Sequence, residues 1–329
     1  MLNLEDIVSL KNSKNLLAFS GGADSTALFF LLLENEIPFD IAIVDYALRA
    51  QSKEEVSYAQ ELALTYKKNC HLFEANEIAT NFEASARKIR YDFFEELILT
   101  CKYETLLTAH HLGDRLEWFF MQMCKGAGCT ELNSLAKITQ KKGYKLIRPL
   151  LHVSKTELIE YLKADDRKWF EDTTNQDMSI KRNEFRHLYV NPLLEKYSDG
   201  IKKSFSYMDE DNESLIAEIE LLHVSDLFRF TKTPNAKNDL YHIDKILKRL
   251  GVMISAKVRQ EIGQKDEIVI SRKFVVAKTQ KQIFIAPYCL HVNMDKEFKE
   301  RCRVLSIPSK LRPYLFLNQH LLEIFTHDA

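Results

Sequence analysis

Two groups of residues in this chain have the types and spacing that chemistry needs. The first, Ser20-Gly21-Gly22-Ala23-Asp24-Ser25, is a glycine-rich turn flanked by hydroxyls and carrying one carboxylate. Adjacent glycines let backbone N–H groups come close to an anion, and the serines add donors, so the turn is suited to cradling phosphate. A Walker loop would read G-x-x-x-x-G-K-[ST], and no lysine occurs between Lys14 and Lys53. Phosphate would therefore meet N–H groups and hydroxyls alone in this loop. A plain strand-to-helix connection with Asp24 or Ser25 as N-cap is the other reading of the same residues. The second group runs from Thr108 to Glu117 and contains His110, His111, Asp114 and Glu117. Spaced three apart, Asp114 and Glu117 share a helix face. A zinc site lacks support, because the i, i+4 histidine spacing is missing and no cysteine is near. Two readings stay open: an N-terminal cap with acids favoured by the helix dipole, and carboxylates that share Mg²⁺ with phosphate oxygens.

These groups need elements to position them. Leu16-Leu17-Ala18-Phe19 reads as a buried strand before the loop, and the run from Thr26 to Leu33 as the opening of a helix whose N–H groups point at it. Strands at 16–19, 39–44, 71–74 and 105–109 alternate with helices at 26–35, 52–68 and 80–101. That alternation predicts an α/β fold with a parallel sheet, right-handed crossovers and ligands beyond the carboxyl ends of the strands. Ser20, Asp45 and His110 stand at such ends. In the helix at 80–101, Phe82, Ala86, Ile89, Phe93 and Leu97 form the core stripe, with Arg87, Arg90 and Phe94 on a flanking strip. A last strand ends at Arg148-Pro149, and a helix follows with Ser154 and Glu157 in capping-box spacing. After Ser198-Asp199-Gly200 the pattern changes, so residues 1–197 are expected to form the catalytic domain and 198–329 a smaller α+β domain. Its expected elements are helices at 202–223 and 239–250 and strands at 267–271, 274–276 and 282–286.

A length of 329 residues favours two domains, each with a sizeable core. The formal net charge of −1 gives no global pull toward nucleic acid, so such a role must rest on local patches. In the second domain Lys245, Lys248 and Arg249, then Lys296, Lys299, Arg301, Arg303, Lys310 and Arg312, lie around Phe298 and Tyr314. They could meet phosphates without reading sequence, although Glu297 and Glu300 suit a plain solvated helix equally well. Six cysteines include no C-x-x-C pair, which points to reduced thiols. No signal-like segment opens the chain and no apolar run reaches transmembrane length, so a soluble cytoplasmic protein without a membrane partner is expected. A homodimer is compatible with the sequence but not readable from it.

The loop resembles the S-G-G-x-D-S PP-loop of the N-type ATP pyrophosphatases, which split ATP between the α and β phosphates. Further segments, in the same order, resemble the tRNA(Ile)-lysidine synthetase family. They are Val44 to Arg49 with Ser52 and Glu55, Ala86 to Phe94, Thr108 to Glu117, Lys125 to Gly128, Arg148 to Leu151, and Asp172 to Asn175 followed by Arg182-Asn183, Arg186-His187 and Pro192. The family resemblance implies a PP-loop, Rossmann-like α/β fold and ligation of lysine to carbon 2 of the wobble cytidine of a CAU-anticodon tRNA(Ile), through an adenylated tRNA intermediate. ATP, Mg²⁺, L-lysine and that tRNA are the implied cofactors and partners. On this basis Ser20, Gly21, Gly22, Ala23, Asp24 and Ser25 bind the phosphates, and Asp24 and Asp114 hold Mg²⁺. Asp24, Asp114, Glu117 and Arg182 are the catalytic set; Asp114 could also take the lysine ammonium or its proton, and Arg182 could face the α-phosphate or clamp tRNA. Asp45, Arg87, Arg90, Tyr91, His110, His111 and Arg186 are the substrate or tRNA candidates. Tyr46, Gly113 and Trp118 depart from the family's usual histidine, aspartate and threonine. Competing readings are a PP-loop tRNA thiolase, which would bring C-x-x-C pairs, and a non-catalytic nucleotide- or tRNA-binding protein.

Overall fold

Leu16, Ala42, Leu106 and Leu146 pack on one face of a central sheet, while their chain neighbours Leu17, Ile41, Ile43, Leu107 and Ile147 pack on the other. Successive strand residues point to opposite faces, so strands that are apolar throughout must be covered on both sides. The computed structural model describes residues 1–46, 50–75, 82–171 and 177–326. It contains two compact units, Met1–Asn212 and Glu213–Ala329. Two segments of the family-like pattern, Ala47-Leu48-Arg49 and Asp172 to Asn175, lie outside the described residues.

The first unit opens with α1 (Leu4–Lys11), which the sequence pattern did not announce, and then alternates β1 (Asn15–Ala18), α2 (Ala23–Glu34), β2 (Phe39–Asp45), α3 (Ala50–Thr65), β3 (Cys70–Glu74), α4 (Phe82–Cys101), β4 (Thr105–Leu107) and α5 (Leu112–Met123). A short α6 (Cys129–Leu132) and the hairpin of β5 (Ile138–Lys141) and β6 (Tyr144–Ile147) precede α7 (Lys155–Ala164). Strand order is β3-β2-β1-β4-β6-β5. All pairings are parallel except that of β5 with β6, so the expected parallel sheet gains one antiparallel edge strand. The order reverses between β1 and β4, which opens a crevice at their carboxyl ends, the place where such sheets bind ligands. Phe94, expected on the flanking strip of α4, is instead buried with Phe93 and Ile98 against the sheet; the apolar arc of α4 is wider than a single stripe.

Beyond α7 come α8 (Lys181–Phe185), a π-helical turn (Arg186–Val190) and α9 (Asn191–Leu215). The expected break at Ser198-Asp199-Gly200 is only a kink, with Tyr197 at φ −131°, ψ 22°. A mid-helix glycine costs about 1 kcal/mol, and packing of Leu194, Ile201 and Phe205 on Leu112 and Leu116 of α5 offsets it.

The second unit is a five-stranded antiparallel sheet, from β7 (Leu222–Val224), β8 (Leu227–Thr231), β9 (Glu267–Ile270), β10 (Phe274–Lys278) and β11 (Gln282–Pro287), in the order β7-β8-β11-β10-β9. Residues expected to extend a helix to 223 turn into β7. Phe298 and Tyr314 lie in this unit's core, so neither offers a ring for stacking bases. Among the nearby basic residues, Lys310 and Arg312 donate to the Glu267 and Ile307 carbonyls, and Lys248 pairs with Asp244.

Candidate active site

The loop after β1 turns sharply because Gly21 adopts φ +74°, a conformation costly for any residue with a side chain. A Cβ there would meet Phe170 and Glu55 only at ordinary contact distance, so the demand for glycine lies in the backbone. Helix α2 begins at Ala23, earlier than the sequence suggested, so Asp24 and Ser25 sit inside its first turn. Gly22 is the N-cap and no side chain caps the helix. The hydroxyls tie the loop together: Ser25 Oγ accepts from the Ser20 N–H at 3.2 Å and lies 3.1 Å from Ser20 Oγ, and it donates to the Gly22 carbonyl at 3.1 Å. The segment at Phe170 backs the turn, its N–H donating to the Gly21 carbonyl at 2.9 Å. First-turn N–H groups of α2 are thus left facing the crevice, as anion binding requires.

Across the crevice, His111 caps α5. Its Nδ1 accepts from the Gly113 N–H at 3.0 Å, and Asp114 Oδ2 accepts from the His111 N–H at 2.9 Å. The capping reading of this segment is therefore realised, with His111 rather than Asp114 as N-cap. With Nδ1 an acceptor, the ring proton belongs on Nε2, which lies 3.9 Å from Asp24 Oδ2 and 3.7 Å from Asp114 Oδ2. Gly113 makes this possible, because a Cβ there would fall 2.6 Å from His111 Cε1.

The two carboxylates of α5 also organise the arginines from α8 and the turn after it. Arg182 donates to Asp114 Oδ1 at 2.5 Å and to Glu117 Oε2 at 2.7 Å, and Arg186 donates to both oxygens of Glu117. Glu117 is 1% exposed and lies outside the cleft, behind the arginines it orients. Burial opposes ionisation of Asp114, but His111, Arg182, His110 and the His111 N–H together hold its carboxyl well below the usual carboxylate range. His110, hydrogen-bonded to Thr108 Oγ1 at 2.9 Å, is pushed by burial down to about 4; Asp114 opposes the shift, and Arg148, Arg182 and Arg87 add to it. Its imidazole is neutral at neutral pH.

A cleft of about 720 Å³ joins these parts. Ser20, Asp24 and Ser25 line it on one side, Asp114, Arg182 and Arg186 on another, and Arg87, Arg90 and Tyr91 of α4 on a third. The Arg87 guanidinium lies over the Tyr91 ring, 4.8 Å from its centroid. Tyr46 anchors α4 by donating to the Ala86 carbonyl at 3.0 Å, and burial raises its phenol above the ordinary range. Asp45 lines a neighbouring cavity of about 500 Å³, together with Gly22, Ala23 and Lys155. Trp118 stands outside both, bonded to Ser134. Arg148, buried, pins the β5 edge through the Ala136 carbonyl and Thr139. Sequence reasoning missed Lys155, whose Nζ is 2.6 Å from Asp24 Oδ1; its only local signal is a position just after the Ser154 cap.

Comparison with known proteins gives this geometry its family. The PP-loop domain family matches residues 2–193. Over 97% of its length the chain is 45% identical to the tRNA(Ile)-lysidine synthase of Helicobacter pylori (strain ATCC 700392 / 26695), covering 94% of that protein. The chain belongs to the tRNA(Ile)-lysidine synthase family. The Wolinella succinogenes tRNA(Ile)-lysidine synthase is 42% identical, with 96% of this chain and 97% of that protein covered. Like other tRNA(Ile)-lysidine synthase family members, the chain is a ligase built on a PP-loop ATP-binding domain. Among solved structures, the U34-tRNA thiolase NcsA from Methanococcus maripaludis superposes with a TM-score of 0.50 at 18% identity, over 64% of this chain and 78% of that one. That likeness concerns the fold.

Proposed function

We propose that this chain joins L-lysine to carbon 2 of the wobble cytidine in a CAU-anticodon isoleucine tRNA, in the cytoplasm, using ATP and releasing AMP and pyrophosphate. The observation that carries the proposal is the single cleft that puts the PP-loop beside an arginine and tyrosine surface. In the first step the cytosine O2 attacks the α-phosphorus, and the bond to the α,β-bridging oxygen breaks to release pyrophosphate. In the second the lysine ε-amine attacks carbon 2, the C2–O bond breaks, AMP leaves with that oxygen, and the amine loses a proton.

The loop N–H groups with Ser20 and Ser25 are suited to the pyrophosphate end, and Arg182 to charge growing on the α-phosphate. Arg87, Arg90 and Tyr91 offer planar groups for a base splayed from a single-stranded loop. Among the described residues no cluster of three or more His, Cys, Asp or Glu side chains could hold a metal by itself. This suits Mg²⁺, which binds through one or two carboxylates plus phosphates and water. Asp24, partly exposed in the cleft, is the better ligand; both Asp114 oxygens already accept from Arg182 and the His111 N–H. Bound there, Mg²⁺ would supply charge compensation to the phosphates.

Incubation with ATP, Mg²⁺, labelled L-lysine and the tRNA transcript tests the proposal. Label is expected in the tRNA with one AMP formed per lysine, and Asp24→Ala should lower the rate about a hundredfold or more. No incorporation by the wild-type chain would sink it.

A further inference from the structure

The loop's own residues carry no cation, yet the fold brings one to it. Lys155, the first residue of α7, places Nζ 2.6 Å from Asp24 Oδ1, and α2 packs along α7. Nothing in helix stability accounts for a lysine at this position. A positive charge in the first turn works against the helix dipole by about 0.3–1 kcal/mol, and α7 is already capped: Ser154 accepts from the Glu157 N–H, and Glu157 accepts from the Ser154 N–H at 2.7 Å. The ion pair is itself a weak reason, because the side chains are 44% and 31% exposed and pairs of that exposure contribute about 0–1 kcal/mol.

The electrostatics of the loop supply a better reason. Asp24 sits in the turn where a polyphosphate would be held, so an incoming triphosphate meets a carboxylate of its own sign. Lys155 cancels that charge, and its flexible stem lets Nζ pass from Asp24 to a phosphate oxygen within the cavity it shares with Ser20, Gly22 and Ala23. Glu157 also accepts from Lys202 of α9 at 2.8 and 2.9 Å, which holds the start of α7 in place while the lysine side chain moves. We propose that Lys155 is the phosphate-binding cation of this PP-loop, contacting the β,γ end of ATP and the departing pyrophosphate. The inference rests on ATP being the substrate read above, and it adds a residue to that site.

Equilibrium binding without tRNA or lysine tests it, with α,β-methylene-ATP, inorganic pyrophosphate and AMP as probes. Lys155→Met should weaken the first two about tenfold or more, as loss of a charge-assisted hydrogen bond does, while AMP affinity changes less than twofold. Retained AMP binding also reports an intact fold in the variant. Lys155→Arg should recover most of the loss. Equal weakening of all three probes would make Lys155 a prop for Asp24, and unchanged α,β-methylene-ATP affinity would mean that Nζ never reaches phosphate; either overturns the inference. Lysine transfer by the wild type, run in parallel, keeps the two ideas separate. Selective loss of triphosphate binding in Lys155→Met with no lysine transfer by the wild type would sustain this inference and remove the proposed acceptor.

Discussion

Gly113 shows how one missing side chain sets the geometry of a site. Replacing a helical glycine by alanine ordinarily stabilises by about 0.4–1 kcal/mol through the unfolded state. Here the new Cβ would fall 2.6 Å from His111 Cε1, and the buried ring would have to leave its cap between Asp24 and Asp114. Loss of an N-cap costs about 1 kcal/mol, and the displaced imidazole gives up its place beside both carboxylates as well. Gly113→Ala is therefore expected to lower stability by about 1 kcal/mol, read from the urea midpoint, where helix propensity alone predicts a gain. A stabilised variant would show that the ring moves freely. With the His111 ring in its capping position, a Cβ at position 113 competes with it for space.

Helices α5 and α9 decide how the acidic and basic halves of the site meet. Phe205 of α9 is 4% exposed, edge-on to Phe119 at 5.9 Å between ring centroids, and under the Arg115 guanidinium at 4.4 Å. Arg115 in turn bonds Asn133 and Asp209, so apolar and polar contacts hold the same pair of helices. Phe205→Ala should cost about 3–5 kcal/mol in the unfolding transition of the first unit, and should weaken adenylation by letting Arg182 and Arg186 drift from Asp114 and Glu117. Normal stability together with normal activity would show that α9 does not position the site. Elements of this kind were only partly legible in the sequence. The strand and helix alternation from 15 to 109 was plain because its central buried strands are apolar over most of their length. The strands β5, β7 and β8 were not: β5 is polar and largely exposed, β7 buries none of its three residues fully, and β8 follows it after a tight turn. The continuity of α9 through Gly200 was hidden too, because it depends on what α5 packs against it.

Across the whole molecule, stability and acidity are linked through the site. His110 has a folded-state value of about 4 against an ordinary 6.5, so between those pH values the unfolded chain binds more protons than the folded one. Stability must then rise with pH across that window and fall as acid is added from 6.5 toward 4. Asp114 acts in the same sense at lower pH: its depressed value adds stability above the usual carboxylate range, lost as pH falls through the folded value. Thermal midpoints measured between pH 4 and 7 should drop toward acid, and His110→Gln should flatten the upper part of that slope. An identical slope in the variant would remove His110 as its cause.

The sequence by itself determined the fold class and the PP-loop, because the loop stands between a buried strand and the start of a helix, where local pattern is informative; it also pointed to Ser20, Asp24, Asp114 and Arg182, which line the cleft. Tertiary structure alone decided what those residues do to one another. Glu117 became the buried holder of two arginines instead of a group facing the cleft, His111 became a cap poised between two carboxylates, and Lys155 reached a partner 131 residues away. Pairing at such separations follows from the crossing of helices over a sheet, and no local spacing encodes it.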